Sequence, residues 1–139
     1  MIFYIGDKTM KHYNVVAAVV CHDGKYLCMQ KGKTKFEYTS YKWEFPGGKI
    51  EPGETPQQAL ARELMEEMEY PVEVGEELVT VNHEYPDFSI TMTAFLCTPK
   101  GDADGFKRRE HADSKWCSAD ELKGLNWAAA DIDVVEGIL

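Results

Sequence analysis

Three glutamates, Glu63, Glu66 and Glu67, fall within the run A-R-E-L-M-E-E-M-E-Y. On a helix at about 100° per residue they span an arc of roughly 100°, while Leu60, Ala61, Leu64, Met65 and Met68 fill a neighbouring arc of roughly 140°. Like charges three and four residues apart repel. Hard divalent cations take clustered carboxylate oxygens, so a metal ion is the simplest reason for one helix to keep all three. The plain alternative is an exposed acidic helix face. Against it stand Arg62 beside the glutamates and the loop G-K-I-E-P-G-E-T-P that runs straight into the helix. Upstream of that loop, Pro46, Gly47 and Gly48 mark a place where backbone must approach something closely.

The elements that must position these residues can be read on either side. Thr55 is a good N-cap, Pro56 suits the first helical position, and Gln58 completes a capping box. Pro71 disfavours helical geometry at Tyr70. Residues 15–21 form a β-branched run fit for a strand buried on both faces. Asp23 and Gly24 then turn a hairpin into residues 25–31. A basic, polar loop follows over residues 31–42, and residues 43–45 make a short strand. Beyond the helix, residues 72–84 and 88–98 read as two strands joined at Tyr85, Pro86 and Asp87. A loop over 101–105, a short strand at 115–117, a helix opened by Ser118 and a terminal amphipathic helix over 131–139 complete the chain. Strands flanked by helices predict a mixed sheet between helical layers, an α/β (α+β) sandwich. Residues 1–12 read as an N-terminal extension, an extra strand or an upstream start, before one domain over 13–139.

Composition bounds the function. A chain of 139 residues supports a single core. A 44% hydrophobic content with 3 Trp, 7 Tyr and 6 Phe argues against disorder. The net charge of −9 excludes an electrostatic grip on bulk DNA or RNA. That sign suits a polyanionic small molecule only if it arrives as its metal complex. Cys21, Cys28, Cys97 and Cys117 have no metal-ligand spacing and read as reduced thiols, with a Cys21–Cys28 disulfide across the hairpin as the alternative. No long apolar run or signal-peptide core is present, so the expectation is a cytoplasmic protein without a membrane span.

The central run resembles the Nudix box, G-x5-E-x7-R-E-U-x-E-E-x-G-U, where U is bulky and apolar. Gly48, Glu54, Arg62, Glu63, Glu66 and Glu67 occupy its Gly, Glu and Arg positions, and Leu64 its first U. Glu69 stands at the last glycine and Tyr70 at the last U. A glycine there suits a left-handed helix end, and a glutamate costs on the order of 1 kcal/mol. The helix is therefore expected either to run on to Glu69 or to leave by a rebuilt loop. W-E-F-P-G-G-K-I-E from Trp43 resembles the L-E-F-P-G-G-K-I-E of the MutT-type branch. H-E-Y-P-D-F-S-I-T from His83 resembles its Y-E-F-P-D-x-x-I-T. CTP pyrophosphohydrolases share nearly all these features, including W-C-S at Trp116 and A-D-I at Asp131.

The resemblance, over residues 13–139, implies a Nudix fold, an α/β/α sandwich with a mixed central sheet. It implies Mg²⁺-dependent hydrolysis of a nucleoside triphosphate to the monophosphate and pyrophosphate, with Mn²⁺ able to substitute. Glu63, Glu66, Glu67, the Gly47 carbonyl and the off-helix Glu110 match metal-binding positions. Either Glu63 or Glu110 would be the base that deprotonates water. Arg62 would orient the carboxylates, and Glu54 would brace the loop or act as an outer-sphere ligand. Lys31, Glu44, Phe45, Pro46, Gly47 and Asp131 match substrate-binding positions. At Lys31 the family holds an arginine, so charge is kept without a bidentate fork; a solvated lysine is the competing reading. Asp131 stands where relatives read the base, or it caps the last helix. Trp127, Tyr85 and Phe88 would stack on a base or belong to the core. His12, His22, His83 and His111 read as structural or exposed. The implied substrate is 8-oxo-dGTP or a similar damaged nucleotide; (d)CTP and its 5-substituted forms are the rival. A non-catalytic nucleotide sensor and a hydrolase of ADP-ribose or dinucleotides are further alternatives. The assembly would be a monomer or a homodimer.

Overall fold

The computed structural model describes residues 11–139. The extension read over residues 1–12 therefore lies, except for its last two residues, outside the described residues. Strands β1 (Lys11–His22), β2 (Lys25–Lys31), β3 (Trp43–Glu44), β4 (Gly47–Lys49), β5 (Val72–Glu84), β6 (Phe88–Pro99) and β7 (His111–Cys117) form one mixed sheet. Helices α1 (Pro56–Met68), α2 (Ala119–Leu122) and α3 (Ala129–Ile138) cover it. The path through the sheet is β3-β2-β1-β6-β5, with β4 added to β1 and β7 added to β2. β1 lies parallel to β6 and antiparallel to β2 and β4.

The β-branched run in β1 explains the layering. Successive side chains of a strand point to opposite faces. Val16, Ala18 and Val20 join a core with Ala59, Leu60, Leu64 and Met68 of α1. Ala17 and Val19 join a second core with Ala130, Val134 and Val135 of α3. One strand thus feeds both cores, with α1 and α3 on opposite sides. Each such Val or Leu contributes about 1.5–3 kcal/mol by leaving water. The β1–β2 turn has Asp23 at φ 51° and Gly24 at φ 74°, the left-handed pair expected of a tight hairpin.

Helix α1 begins as its sequence dictates. The Thr55 hydroxyl accepts from the Gln58 N–H, and the Gln58 side chain accepts from the Thr55 N–H. Its exit differs from both expected forms. The helix stops at Met68, and Glu69 itself takes the left-handed conformation at φ 49°, ψ 42°. Its N–H reaches the Met65 carbonyl and the Tyr70 N–H reaches that of Leu64. Arg109 and Lys107 both pair with the Glu69 carboxylate, which gives the glutamate partners a glycine would lack.

Other boundaries shift for tertiary reasons. β7 starts at His111, four residues before the expected strand, because the polar residues 111–114 pair with β2. The terminal helix begins at Ala129 with Ala128 as its cap, so Asp131 is not the N-cap. A 3₁₀ turn, Glu37–Thr39, sits in the basic loop. All four cysteines are free; Cys21 faces Tyr26 and Cys28 faces Lys115, so the hairpin disulfide is not formed.

Candidate active site

Arg62 organises the acidic end of α1. Its Nε and Nη2 donate to the two Glu54 oxygens at 2.6 and 2.9 Å. Nη1 donates to Glu63 Oε1 at 3.0 Å and to Glu66 Oε2 at 3.1 Å, and Nη2 also reaches the Lys49 carbonyl at 3.0 Å. The loop before the helix is tied in as well, since the Glu51 N–H donates to Glu54 Oε1. Hydrogen bonding from Arg62 holds the Glu54 carboxyl below the usual range. Gly48 faces the Glu63 carboxyl so closely that a Cβ there would overlap it. That contact is the close backbone approach the glycines announce. At Gly47 a Cβ would strike the Val16 carbonyl, where β4 pairs with β1.

Glu67, one turn on, faces elsewhere. It lines a pocket of about 240 Å³ with Glu44, Glu110, Lys31 and His111, closed by residues 32–34 of the basic loop. Burial, then the negative charge of Glu63, Glu110 and Glu44, pushes the Glu67 carboxyl up to about 8. Carboxylates that raise one another in this way suit a hard dication as their counter-charge. Among the described residues no three side chains already close around one metal position. Glu63 and Glu66 are instead turned to Arg62. The donor set is all oxygen, and it fits Mg²⁺ or Mn²⁺ better than a softer metal.

Next to this pocket lies a second one of about 170 Å³, bounded by Phe45, Gly47, Gly48, Tyr85, Phe88, Ile90, Met92 and Asp131. Lys31 and Glu44 line both pockets. Asp131 is 5% exposed and its Oδ1 accepts the Phe45 N–H at 3.0 Å. Burial and the charge of Glu44 push its carboxyl up to about 8, against the pull of the Phe45 N–H and Lys31. At Lys31 burial works against the charge, but Glu44 and Asp131 outweigh it and raise the pKa. The Tyr85 hydroxyl accepts the Ala130 N–H at 3.2 Å, fixing that ring at the start of α3. Tyr85 stacks on Phe88 with centroids 4.8 Å apart. The basic loop contributes buried Thr39 to the wall, and Tyr38 anchors the loop by donating to Asp87 Oδ2 at 2.6 Å.

Two open sequence readings are narrowed here. Trp127 is core: its ring packs on Phe45 at 4.8 Å, its Nε1–H donates to the Leu122 carbonyl, and it does not line the pocket. Of the two readings for His111, structural and exposed, the first holds. Its side chain is 5% exposed and its Nε2 lies 3.0 Å from Glu44 Oε2. A histidine directly after Glu110 on a strand edge was the available signal; its partner Glu44, distant in sequence, was not. Pro46 is buried, and its carbonyl accepts the Ala18 N–H at 2.8 Å.

The NUDIX domain family matches residues 10–136. The chain belongs to the Nudix family. Like other members, this Nudix hydrolase acts on phosphoanhydrides of small nucleotide substrates. The CTP pyrophosphohydrolase of Escherichia coli (strain K12) is 36% identical over 131 residues, covering 94% of this chain and 93% of that protein. The 8-oxo-dGTP diphosphatase of Proteus vulgaris is 41% identical over 88 residues, covering 63% of this chain and 78% of the relative. Among solved structures, the E. coli ORF135 protein matches with a TM-score of 0.78 at 34% identity, over 97% of this chain and 92% of that one. MutT from methicillin-resistant Staphylococcus aureus 252 matches at 0.69 and 38%, over 94% and 97%. The mixed sheet and helices of this Nudix hydrolase are those of its structural neighbours.

Proposed function

We propose that the protein hydrolyses a nucleoside triphosphate to the monophosphate and pyrophosphate with Mg²⁺, and that 8-oxo-dGTP or a similar modified nucleotide is its substrate. The observation that carries this reading is the junction at Lys31 and Glu44, where an aromatic pocket opens beside one walled by carboxylates. A base fits the first and a metal-bound phosphate chain the second. Glu63, Glu66, Glu67, Glu110 and the Gly47 carbonyl would hold the metal. When bound, the metal would neutralise phosphate charge and acidify water. Glu63 or Glu110 takes the proton from the attacking water, and Lys31 meets the nucleotide at the junction. Arg62 and Glu54 keep the helix carboxylates in position.

The raised pKa of Asp131 favours its protonated carboxyl, which would offer one donor and one acceptor to a base edge. An 8-oxoguanine edge, with N–H beside a carbonyl, complements it. So does cytosine, with its ring nitrogen beside an amino group. That dual fit, together with the E. coli CTP pyrophosphohydrolase matched over 93% of its length, supports (d)CTP and 5-substituted CTP as the second reading. The deciding experiment compares kcat/KM for 8-oxo-dGTP, dGTP, CTP, dCTP and 5-methyl-dCTP with Mg²⁺, measuring pyrophosphate against phosphate. At least tenfold preference for 8-oxo-dGTP is expected. Preference for the cytosine set would replace the first reading with the second, and release of phosphate alone would overturn both.

A further inference from the structure

We propose that His111 is a positioning residue that acts through Glu44 to aim the Lys31 ammonium at the junction of the two pockets; the proposal rests on the nucleotide-hydrolase reading above. Three observations carry it. First, Glu44 is held from both sides: Oε2 lies 3.0 Å from His111 Nε2, and Oε1 lies 3.5 Å from Lys31 Nζ. Second, the β2–β7 ladder is irregular at this point. Gln30 pairs with Asp113, but Lys31 pairs with His111, so Ala112 is passed over. In a regular ladder Ala112 would sit opposite Lys31 and the imidazole would point to the other face. The bulge sets His111 directly across from Lys31, on the side where both reach Glu44. Third, His111 Nδ1 is buried and has no hydrogen-bond partner among the described residues.

The first point indicates which ring nitrogen donates. A carboxylate can only accept, so His111 must present Nε2–H to Glu44. In the neutral ring Nδ1 is then an acceptor, and an ordered water is the natural donor to it. Glu44 cannot be swung away from Lys31 without breaking its bond to His111, so the imidazole limits the directions open to the ammonium. An unclamped lysine has three donors on a flexible stem and would approach a phosphate oxygen or a base in many ways. Glu44 also bears on Glu67 and on Asp131, so its direction matters on both sides of the junction.

The test separates this role from the reading beneath it. Lys31→Met should raise KM for the best nucleotide about tenfold; no change would mean that the nucleotide reading of this junction has failed. Given that rise, His111→Ala should raise KM about fivefold or more while kcat stays within about threefold. His111→Gln keeps a donor where Nε2 stood and should recover most of the KM, whereas His111→Asn reaches only the Nδ1 position and should behave as Ala. In a Lys31→Met background, His111→Ala should add less than twofold. A long-range ¹H–¹⁵N spectrum of the metal-free enzyme should show His111 as the Nε2–H tautomer, which does not depend on turnover or on the variants folding. The Nδ1–H tautomer, equal behaviour of Gln and Asn, or full additivity with Lys31→Met would overturn the proposal.

Discussion

Arg62 grips Glu54, Glu63 and Glu66 across at most eight residues of chain, whereas Asp131 is fixed by a backbone N–H 86 residues away. The Arg62 cluster of the acidic end is thus assembled by one helix and the loop before it, while Glu44 and Glu110 reach the Glu67 pocket from distant parts of the chain. The aromatic end is assembled from β2, β3, the β5–β6 turn and the start of α3, which only the finished sheet brings together. Their environments differ in the same sense. Glu66 is exposed and Glu63 is bonded to a guanidinium, while Asp131 is 5% exposed and accepts the Phe45 backbone N–H. Local construction suits charges that a metal would take up. Long-range burial suits a group that must read a base in the absence of water.

The contrast can be broken most severely at the acidic end. If Glu63 or Glu110 deprotonates water, the Gln variant of the right one should lower kcat by about 10²–10⁴-fold with little change in KM. Full activity in both variants would remove each from that role. Glu67→Gln should lower turnover by about 100-fold or more with the fold intact, because one lost metal oxygen forfeits several kcal/mol of transition-state stabilisation. Circular dichroism alongside steady-state rates separates lost chemistry from lost structure.

At the aromatic end the losses should be smaller and selective. Asp131→Ala should cost about 1–3 kcal/mol in kcat/KM for the best nucleotide and little for the poorest, flattening the ranking. An unchanged ranking would make Asp131 a purely structural tie to Phe45. The same residue, together with Glu67, should shape the pH dependence of stability. The Asp131 carboxyl rises from 3.8 in the unfolded chain to about 8 in the fold. Between those values the folded protein holds a proton the unfolded chain has released, so stability is full at low pH and falls as pH rises. The slope is at most about 1.4 kcal/mol per pH unit for one such proton. Urea midpoints of the metal-free protein should therefore fall from pH 5 to pH 8, and less steeply in Asp131→Asn. The smallest effect is expected of Tyr38→Phe, which removes one bond to Asp87 and should cost about 1 kcal/mol or less. A larger loss would show that the basic loop supports the whole aromatic pocket.

The difference between the two ends also explains what the sequence made legible. Helix α1 announces itself because Thr55, Pro56 and Gln58 act on backbone groups within three residues, and its apolar positions repeat every turn. The buried β1 run, the Asp23–Gly24 turn and the acidic helix face were readable for the same reason. The exit at Glu69 was not, because its ion partners Lys107 and Arg109 are some forty residues away. Trp127 and His111 were each left with two readings in the sequence. An aromatic beside a base-reading position looks functional until its Nε1–H is found bonded to Leu122, and a lone histidine looks inert until a bulge turns it toward Glu44.

The parallel pairing of β1 with β6 carries one more consequence, in the time course of folding. The ladder runs from Lys11–Phe88 to Val20–Cys97, so every rung joins residues 77 positions apart. Closing a loop of that length costs roughly 4 kcal/mol of chain entropy beyond its constant term. Helix α1 and the β1–β2 hairpin need only local contacts and can form in microseconds. The central ladder must wait for a rarer encounter, and contacts of such sequence separation slow folding. During synthesis, the partner of Val20 leaves the ribosome only after Cys97 has been added. The α1 carboxylates are therefore made before the wall on which a base could rest, and a partly made chain carries them without Phe88, Glu110 or Asp131.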